Sequence, residues 1–492
     1  MAEKIPVELS GFCIHLGERT TFKKTDFKLG EGTSTVIMGP TGTGKSVFLK
    51  SIAGILPMTV FSFEGSMKVN GIDAYIDGRK QDYEQWTKIE QSGLMFIPAE
   101  TAQVMNPALT LDQNLSLLAP GCRLKIVERL KNYFAMDFEA FARLYPDEVS
   151  GGEMQRITLM ILLSRQGYLI ILDEPTVNLD RNLRKNFVEF LNKEILSDKT
   201  KTFLMVSHDL DFIKRLTLTQ HFNLKDGDLE KLEVLPEMEG YEKPEAKKGA
   251  SGSAIELIDV SQSYNKRGIF GERKFTAFKG LNLTFERSTV YGITGPSGCG
   301  KSSTIKAILR LLDDTGGKIL MEGNDLVALK PKENGRDPKD FKPFRKRMAV
   351  VQQDSRFSFF PDLKIKDSFK QITEAGNEGT LEEFAENLEK VGLPRERLEN
   401  YPQSLSSGEM KRVDIARALT AKPDILLLDE PFAHIDFDTR LHVMKVISDY
   451  LAVHATILVV VTHEDFDLRY FIEKSFDFPE LVGQYPKEKK EA

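Results

Sequence analysis

Two segments of the chain share the spacing G-x-x-x-x-G-K-S, Gly39–Ser46 and Gly295–Ser302. Glycines at these positions let backbone N–H groups curve around an anion, and a helix that begins at the lysine adds its positive N-terminal end. The lysine can then reach the β- and γ-phosphates of a nucleoside triphosphate, and the serine can offer its hydroxyl to Mg²⁺. The sequence therefore predicts two sites for ATP and Mg²⁺. Their loop residues are Gly39, Gly42, Gly44, Lys45 and Ser46 in the first copy, and Gly295, Gly298, Gly300, Lys301, Ser302 and Ser303 in the second.

An apolar strand pattern that ends in Asp-Glu follows each loop. Asp173 and Asp429 close the two strands and can hold Mg²⁺ directly or through water. Glu174 and Glu430 come next and can polarise the attacking water or act as its general base. An Asp-Glu pair could instead cap the following turn, but a phosphate loop upstream favours the catalytic interpretation. The predicted metal ligands are thus Ser46, Asp173, Ser302 and Asp429, and the predicted catalytic carboxylates are Glu174 and Glu430.

A third pair of segments, VSGGEMQR and LSSGEMKR, opens helices with small, hydrogen-bonding residues. A serine hydroxyl together with helix N-terminal amides can form a second anion site. One such segment alone would be an ordinary helix cap. Because the serine lies 23 residues before the Asp-Glu aspartate in both halves, we favour the anion site. Its predicted residues are Ser150, Gly151 and Gly152 in the first half, and Ser406, Ser407 and Gly408 in the second.

Two histidines, His208 and His463, each follow an apolar strand at matching places in the two halves. A histidine there can hydrogen-bond the γ-phosphate and hold the attacking water. A lone histidine after a strand is usually structural, but two at equivalent positions favour a catalytic role.

The order of these motifs indicates one module used twice. Lys301, Ser406 and Asp429 lie 256 residues after Lys45, Ser150 and Asp173. Continuous apolar strands suit a parallel sheet that is buried on both faces, so we predict an α/β fold with the nucleotide at the strand carboxyl ends. The predicted domains are residues 1–235 and 255–492, joined by a flexible linker at 236–254 that is rich in Pro, Gly, Glu, Lys and Ser. The polar, helix-like stretches 107–148 and 365–403 predict a helical subdomain in each module.

Composition limits the classes of function. Hydrophobic residues make up 41% and charged residues 28% of the 492 positions, which is typical of a globular protein. A net charge of −6 weighs against a dedicated nucleic-acid binder. The three cysteines lack metal-ligand spacing and suggest reduced thiols. We see neither a membrane-span run nor the apolar stretch of a signal peptide, so we expect any membrane role to come through a partner.

Taken together, these motifs resemble those of tandem ATP-binding-cassette (ABC) ATPases, as do VNLD and AHID after the two Asp-Glu pairs. The resemblance covers both modules. It implies two P-loop NTPase domains in one chain that form a head-to-tail pseudo-dimer. Each ATP would then lie between the phosphate loop of one module and the Ser-Gly segment of the other. Lys45 would face Ser406, Ser407 and Gly408, and Lys301 would face Ser150, Gly151 and Gly152. Hydrolysis would reopen this clamp and drive a partner.

Departures from the family pattern fall unevenly. Gln353 matches the family's Q-loop glutamine, so the resemblance implies that it is a further metal ligand and a catalytic residue; its first-half counterpart is Ala99. Tyr264 matches the adenine-stacking aromatic residue, whereas its counterpart is Leu16. The second signature also reads SSG, with Ser407 where the family has glycine.

All three departures affect the site of Lys45 in the head-to-tail arrangement. We therefore predict that the Lys301 site turns over, while the Lys45 site holds ATP longer or hydrolyses it slowly.

Three roles remain open for this motor. The first is the ATPase of a transporter with separate transmembrane permease subunits, peripheral on the cytoplasmic face of the cell membrane; NPALTL and SFFPDL resemble segments of peptide- and nickel-uptake ATPases. The second is a soluble ABC ATPase that remodels a macromolecule or activates a metalloenzyme. The third is a nucleotide-binding scaffold without turnover. We expect no direct nucleic-acid partner in any of them.

Overall fold

The computed structural model describes residues 5–40, 42–99, 101–176, 179, 181–235, 253–268, 271–296, 298–312, 314–329, 340–374, 379–433, 435–462 and 465–482. The chain divides into two compact units, Met1–Glu237 and Met238–Ala492, which we call the first unit and the second unit.

The first unit alternates strands and helices. Its strands are β1 (Val7–Leu16), β2 (Arg19–Leu29), β3 (Ser34–Met38), β4 (Phe61–Val69), β5 (Ile72–Ile76), β6 (Arg79–Lys80), β7 (Leu94–Ile97), β8 (Leu169–Asp173), β9 (Thr202–Val206), β10 (Gln220–Lys225) and β11 (Asp228–Leu232). Its α-helices are α1 (Lys45–Ile52), α2 (Tyr83–Gln91), α3 (Leu111–Leu118), α4 (Arg123–Phe134), α5 (Gly151–Leu163), α6 (Arg181–Phe190), which continues as a π-helical turn at Leu191–Leu196, and α7 (Leu210–Lys214).

The second unit follows the same order. Its strands are β12 (Ser253–Gly268), β13 (Gly271–Glu286), β14 (Val290–Thr294), β15 (Thr315–Met321), β16 (Asn324–Asp325), β17 (Met348–Val351), β18 (Ile425–Asp429), β19 (Ile457–Val461) and β20 (Lys474–Asp477). Its α-helices are α8 (Lys301–Ile308), α9 (Lys342–Lys346), α10 (Ile365–Glu374), α11 (Leu381–Lys390), α12 (Ser407–Thr420), α13 (Phe437–Val453), α14 (Asp465–Tyr470) and α15 (Phe478–Leu481).

Each unit contains a mainly parallel sheet and a smaller antiparallel one. The strand orders are β11-β10-β3-β9-β8-β7 and β17-β18-β19-β14-β20 for the larger sheets, in which only the β10–β11 pair is antiparallel. The antiparallel sheets run β2-β1-β4-β5-β6 and β13-β12-β15-β16. The predicted α/β class with two modules is therefore confirmed.

The central strands are buried throughout, as their apolar sequences predict. Every residue of β3, β8, β9, β18 and β19 is buried. Because these strands are parallel, their carboxyl ends lie at one edge of each sheet. The phosphate loop follows β3, the Asp-Glu pair ends β8, and the histidine segment follows β9, so that edge collects the motif residues.

Helices fill both predicted insertions, and among their described residues there is no strand. In the first unit they are α3 and α4, and in the second α10 and α11. Capping boxes at Thr110 and Thr380 fix where α3 and α11 begin. Most of the predicted linker lies outside the described residues, but its last two positions were assigned wrongly: Ser253 pairs with Glu286 and begins β12.

The described residues include three free cysteines, Cys13, Cys122 and Cys299. Among the helices in that part of the chain, none combines the length and apolar character needed to cross a bilayer.

Candidate active site

Both phosphate loops have the same internal geometry. The ammonium group of Lys45 donates to the carbonyl oxygens of Gly39, at 2.8 Å, and Pro40, at 2.7 Å. Lys301 makes the equivalent contacts at 2.8 Å and 2.7 Å. Gly39 has φ 138°, and a Cβ there would lie 2.1 Å from the carbonyl oxygen of Leu224, so only glycine fits. Each lysine thus binds the backbone at the start of its own loop and is the first residue of the helix that follows.

The predicted metal ligands lie together in each unit. The hydroxyl of Ser46 donates to Asp173 Oδ1 at 2.8 Å, and that of Ser302 donates to Asp429 Oδ1 at 3.1 Å. Both aspartates are buried. Burial raises the pKa of Asp173 and of Asp429, while the serine hydroxyl acts in the opposite direction. A buried carboxylate beside a hydroxyl provides the hard oxygen ligands that Mg²⁺ prefers, so these residues fit that ion.

The glutamates after these aspartates have unusual backbone conformations. Glu174 has φ 44° and Glu430 has φ 48°, in the left-handed region that costs non-glycine residues about 1 kcal/mol or more. The backbone N–H of Glu174 donates to Val206, and that of Glu430 to Val461, each at 2.9 Å. These bonds to the neighbouring strand hold the strained turn, which directs the carboxylate at the sheet edge.

In the first unit this glutamate contacts a histidine, and in the second unit it accepts a hydrogen bond from a glutamine. Glu174 Oε1 lies 2.8 Å from His208 Nδ1, with both side chains largely buried. Burial of His208 opposes its charge, but the carboxylate of Glu174 outweighs this and raises the pKa of the histidine. Glu430 Oε2 accepts from Gln353 Nε2 at 3.2 Å. His463 lies outside the described residues, so its predicted catalytic role stays a prediction.

Strand register shows which first-unit residue matches Gln353. Ile97 on β7 pairs with Leu172, the residue before Asp173, and Val351 on β17 pairs with the equivalent Leu428. Two residues further on, Gln353 therefore corresponds to Ala99. This is the counterpart that the sequence predicts, and alanine has no side-chain group to donate to Glu174.

The predicted adenine positions also differ. Tyr264 pairs across the β12–β13 ladder with Phe275, and its hydroxyl donates to Ser303 Oγ at 2.6 Å. That bond ties a ring beside the phosphate loop to helix α8. At the corresponding place in the β1–β2 ladder, Leu16 pairs with Arg19. An aromatic ring can stack on a base, and an aliphatic side chain provides only apolar contact.

Both signature segments begin helices in the predicted way. Ser150 and Ser406 are the N-caps of α5 and α12, each in a capping box with the glutamate three residues on. A Cβ on Gly151 or Gly152 would meet no atom within 4 Å. Ser407 is exposed at the first turn of α12, and Gly408 behind it is buried. Nothing within the first unit thus demands glycine at positions 151 and 152.

One pair of residues escaped the sequence analysis. Lys411 on α12 is 2% exposed and donates to two carbonyl oxygens of the Gln353 loop. Gln155 holds the same place on α5, is 4% exposed, and neither polar atom of its amide has a hydrogen-bond partner. The sequence did show this difference, because the sixth residue is glutamine in SGGEMQR and lysine in SSGEMKR.

Each unit therefore brings its phosphate loop, Ser–Asp pair and strained glutamate to one sheet edge. This arrangement can grip a triphosphate, place a divalent cation and orient water for phosphoryl transfer.

Comparison with known proteins agrees with this chemistry. The ABC transporter family profile matches residues 22–177 and again 278–433. The Uncharacterized ABC transporter ATP-binding protein YejF of Escherichia coli (strain K12) is 24% identical in an alignment that covers 91% of this chain and 88% of that protein. The Glutathione import ATP-binding protein GsiA of Escherichia coli O1:K1 / APEC is 22% identical in an alignment that covers 90% of this chain and 79% of that protein.

A solved structure shares the architecture. RNase-L Inhibitor matches with a TM-score of 0.62 at 20% identity, covering 94% of this chain and 87% of its own, a likeness that concerns the fold alone. The family profile occurs once in each unit and includes both phosphate loops and both Asp-Glu strands. The chain therefore belongs to the ABC transporter family, as an ATPase with two ATP-binding cassettes in tandem.

Proposed function

We propose that this chain is the ATPase subunit of an ABC transporter and that it works with separate membrane-spanning subunits on the cytoplasmic face of the membrane. Relatives named as import or transporter ATP-binding proteins align over about nine-tenths of the chain, which supports this role. The observation that carries the proposal is an exposed aromatic surface directly after Gln353, where a partner can sense the state of the nucleotide site.

In the proposed cycle, Lys301 neutralises the β- and γ-phosphates, and Ser302 and Asp429 hold Mg²⁺, which neutralises developing charge on the phosphoryl oxygens. Glu430 orients the attacking water and accepts its proton, and Gln353 fixes the direction of that carboxylate. The strained backbone at Glu430 aims the carboxylate before ATP arrives, so reorganisation during reaction is small.

The two units close head to tail over two ATP molecules in this proposal. Ser150, Gly151 and Gly152 complete the Lys301 site, and Ser406, Ser407 and Gly408 complete the Lys45 site. The open space around Gly151 and Gly152 supports such pairing, because the glycines then leave room for a phosphate that arrives from outside their own unit.

The two sites have unequal tasks. The Lys301 site has Tyr264 and Gln353, whereas the Lys45 site has Leu16, Ala99 and the bulkier signature with Ser407. ATP at Lys45 therefore keeps the units associated while ATP at Lys301 is hydrolysed, and the Lys45 site retains slow turnover because Glu174 and His208 are present.

The aromatic surface consists of Phe357 and Phe360, which are 80% and 54% exposed. Both follow the Gln353 loop, and the residues at the same places in the first unit are Gln103 and Asn106. Two exposed phenyl rings beside a nucleotide-sensing loop suit burial against an apolar partner surface. The partner thus contacts the second unit more strongly than the first.

Purification from native membranes tests the proposal. We expect the tagged chain to co-purify with polytopic membrane proteins after mild detergent extraction. Phe357→Ala with Phe360→Ala should release them and leave basal ATP hydrolysis intact. Gln103→Ala with Asn106→Ala is the matched control and should release little. Recovery of the same membrane proteins with both variants would contradict the assigned surface.

A second candidate is a remodelling ATPase that acts on a macromolecular complex without transport. The polar side chains of Gln103 and Asn106 in the first unit favour it, because a transporter with two equivalent docking loops would carry similar residues in both. Recovery of a ribosome or of an enzyme complex, with no membrane protein, would establish this alternative.

A further inference from the structure

A buried lysine ties helix α12 to the loop that carries Gln353. The ammonium group of Lys411 donates to the carbonyl oxygens of Gln352, at 2.6 Å, and Gln353, at 2.7 Å. Hydrogen bonds from a charged donor are stronger than those between neutral groups. The Gln353 side chain continues from this anchored backbone to Glu430, 3.2 Å away.

Charges around Lys411 suit this anchoring role. Burial lowers the pKa of Lys411, and the carboxylates of Asp414, Asp429, Glu430 and Asp354 act in the opposite direction. These carboxylates partly offset the cost of burying the ammonium group, whose N–H groups bind the loop. Lys411 links the position of α12 to the geometry at Glu430.

A second tie lies one turn further along α12. Asp414 accepts from Ser358 Oγ at 3.0 Å, and Arg417 donates to the Ser358 carbonyl oxygen at 2.6 Å. Arg417 also pairs with Asp414 and lies over the ring of Phe359. Lys411, Asp414 and Arg417 are spaced by three residues and so share one helix face. The whole segment from Gln352 to Phe359 is thereby fastened to α12.

In the part of the first unit that the structure describes, neither tie has a counterpart. Gln155 replaces Lys411 and has no partner for its amide. Thr158 replaces Asp414 and donates to Met154 of its own helix at 2.8 Å. Ile161, which replaces Arg417, is fully buried and apolar. Helix α5 therefore packs on its loop without these polar contacts.

We propose that Lys411 is a positioning residue for hydrolysis at the Lys301 site, which it serves by fixing the Gln353 loop so that the Gln353 amide orients Glu430. This inference rests on the proposed catalytic role of Glu430. It predicts that Lys411 affects the chemical step and leaves ATP affinity nearly unchanged, because the loop that its ammonium group holds, at Gln352 and Gln353, is separate from the phosphate loop.

A double-mutant cycle between Lys411 and Gln353 tests the inference. Lys411→Met should lower kcat about tenfold and change KM for ATP less than twofold. Gln353→Ala keeps the backbone carbonyl that Lys411 binds but removes the amide that reaches Glu430. If Lys411 acts through that amide, Lys411→Met should have little further effect in the Gln353→Ala background. A merely structural role would persist there.

Two further variants complete the test: a control at the equivalent position of the first unit, and a second substitution of Lys411. Gln155→Met alters the equivalent helix position and should leave kcat within twofold of the original chain. Lys411→Gln, the side chain with which the first unit folds, replaces Lys411→Met if the latter does not accumulate as folded protein. We expect a similar loss of kcat, because the shorter amide carries no charge.

Two results would overturn the inference: an unchanged kcat in the folded Lys411 variants, or an equal tenfold loss in the Gln353→Ala background. Glu430→Gln separates this failure from that of the proposed function. An inactive Glu430→Gln beside an active Lys411→Met removes only the role of Lys411. An active Glu430→Gln removes the catalytic assignment on which it rests.

Discussion

The two units share their anion-binding backbone and differ in the side chains around it. Lys45 and Lys301 have matching contacts, and Glu174 and Glu430 share a left-handed backbone. The contrast begins at Ala99 and Gln353, next to those glutamates. The backbone geometry of the phosphate loop depends on its glycines and on the strand before it, and both units have these features. Side-chain contacts between loop and helix depend on single residues. In the second unit such contacts hold the Gln353 loop on α12, and among the described residues of the first unit the equivalent loop is not held on α5 in this way.

The largest expected difference concerns the catalytic carboxylates. Glu430→Gln should lower steady-state ATP hydrolysis by about 10²-fold or more, because it removes the proton acceptor of the faster site. Glu174→Gln should lower it less than twofold, since the slower site contributes little turnover. Phosphate release from the two purified variants measures this. Equal losses would break the comparison.

A smaller effect is expected at the signature segments. Gly151→Ser adds a side chain that meets nothing within its own unit, so the melting temperature should stay unchanged. It should nevertheless lower ATP hydrolysis about tenfold, because in the closed state it crowds the phosphate at Lys301. Ser407→Gly, the reverse change at the other site, should alter turnover less than threefold. Unchanged activity in Gly151→Ser would argue against head-to-tail closure.

Substitution by methionine at the equivalent positions 155 and 411 should change the free energy of unfolding in opposite directions. Gln155→Met removes two buried polar atoms without partners and should stabilise the first unit by about 1–2 kcal/mol. Lys411→Met leaves two carbonyl oxygens without their donor and should destabilise the second unit by about 1–3 kcal/mol. Hydrogen exchange of peptides from α5 and α12, measured in the full chain without nucleotide, reports each unit separately. Changes of the same sign would contradict the assigned contacts.

The sequence predicted the parts of the site that depend on local spacing. Loops at Lys45 and Lys301, the buried strands and the helical insertions all follow from short patterns, and even the correspondence of Ala99 to Gln353 agrees with the strand register. Lys411 was missed because its role depends on which carbonyl oxygens come within reach of a helix 58 residues away. The strained φ of Glu430 was missed for a similar reason: strand pairing, not residue type, imposes it.

The smallest predicted effect is a pH dependence confined to the first unit. Glu174 raises the pKa of His208, so their contact stabilises the fold fully below the ordinary histidine pKa of about 6.5 and less as pH rises through the raised value. His208→Gln should therefore cost most stability at acid pH and less once the pH exceeds the raised pKa of His208. Urea titrations across this range measure the change.

His221 provides the opposite control for this titration. Burial lowers the pKa of His221, so its protonation at acid pH destabilises the folded unit. His221→Gln should then gain relative stability as pH falls below about 6.5, the reverse of His208→Gln. Parallel pH profiles for the two variants would remove the electrostatic explanation.

The central claim is that the Lys301 site turns over while the Lys45 site retains ATP. Steady-state ATP hydrolysis by Lys45→Ala and Lys301→Ala, at saturating ATP and with nucleotide occupancy determined on the same samples, tests it most directly. The account predicts loss of nearly all turnover in Lys301→Ala, about 10²-fold, and a loss of only a few-fold in Lys45→Ala. Equal losses in the two variants would contradict it.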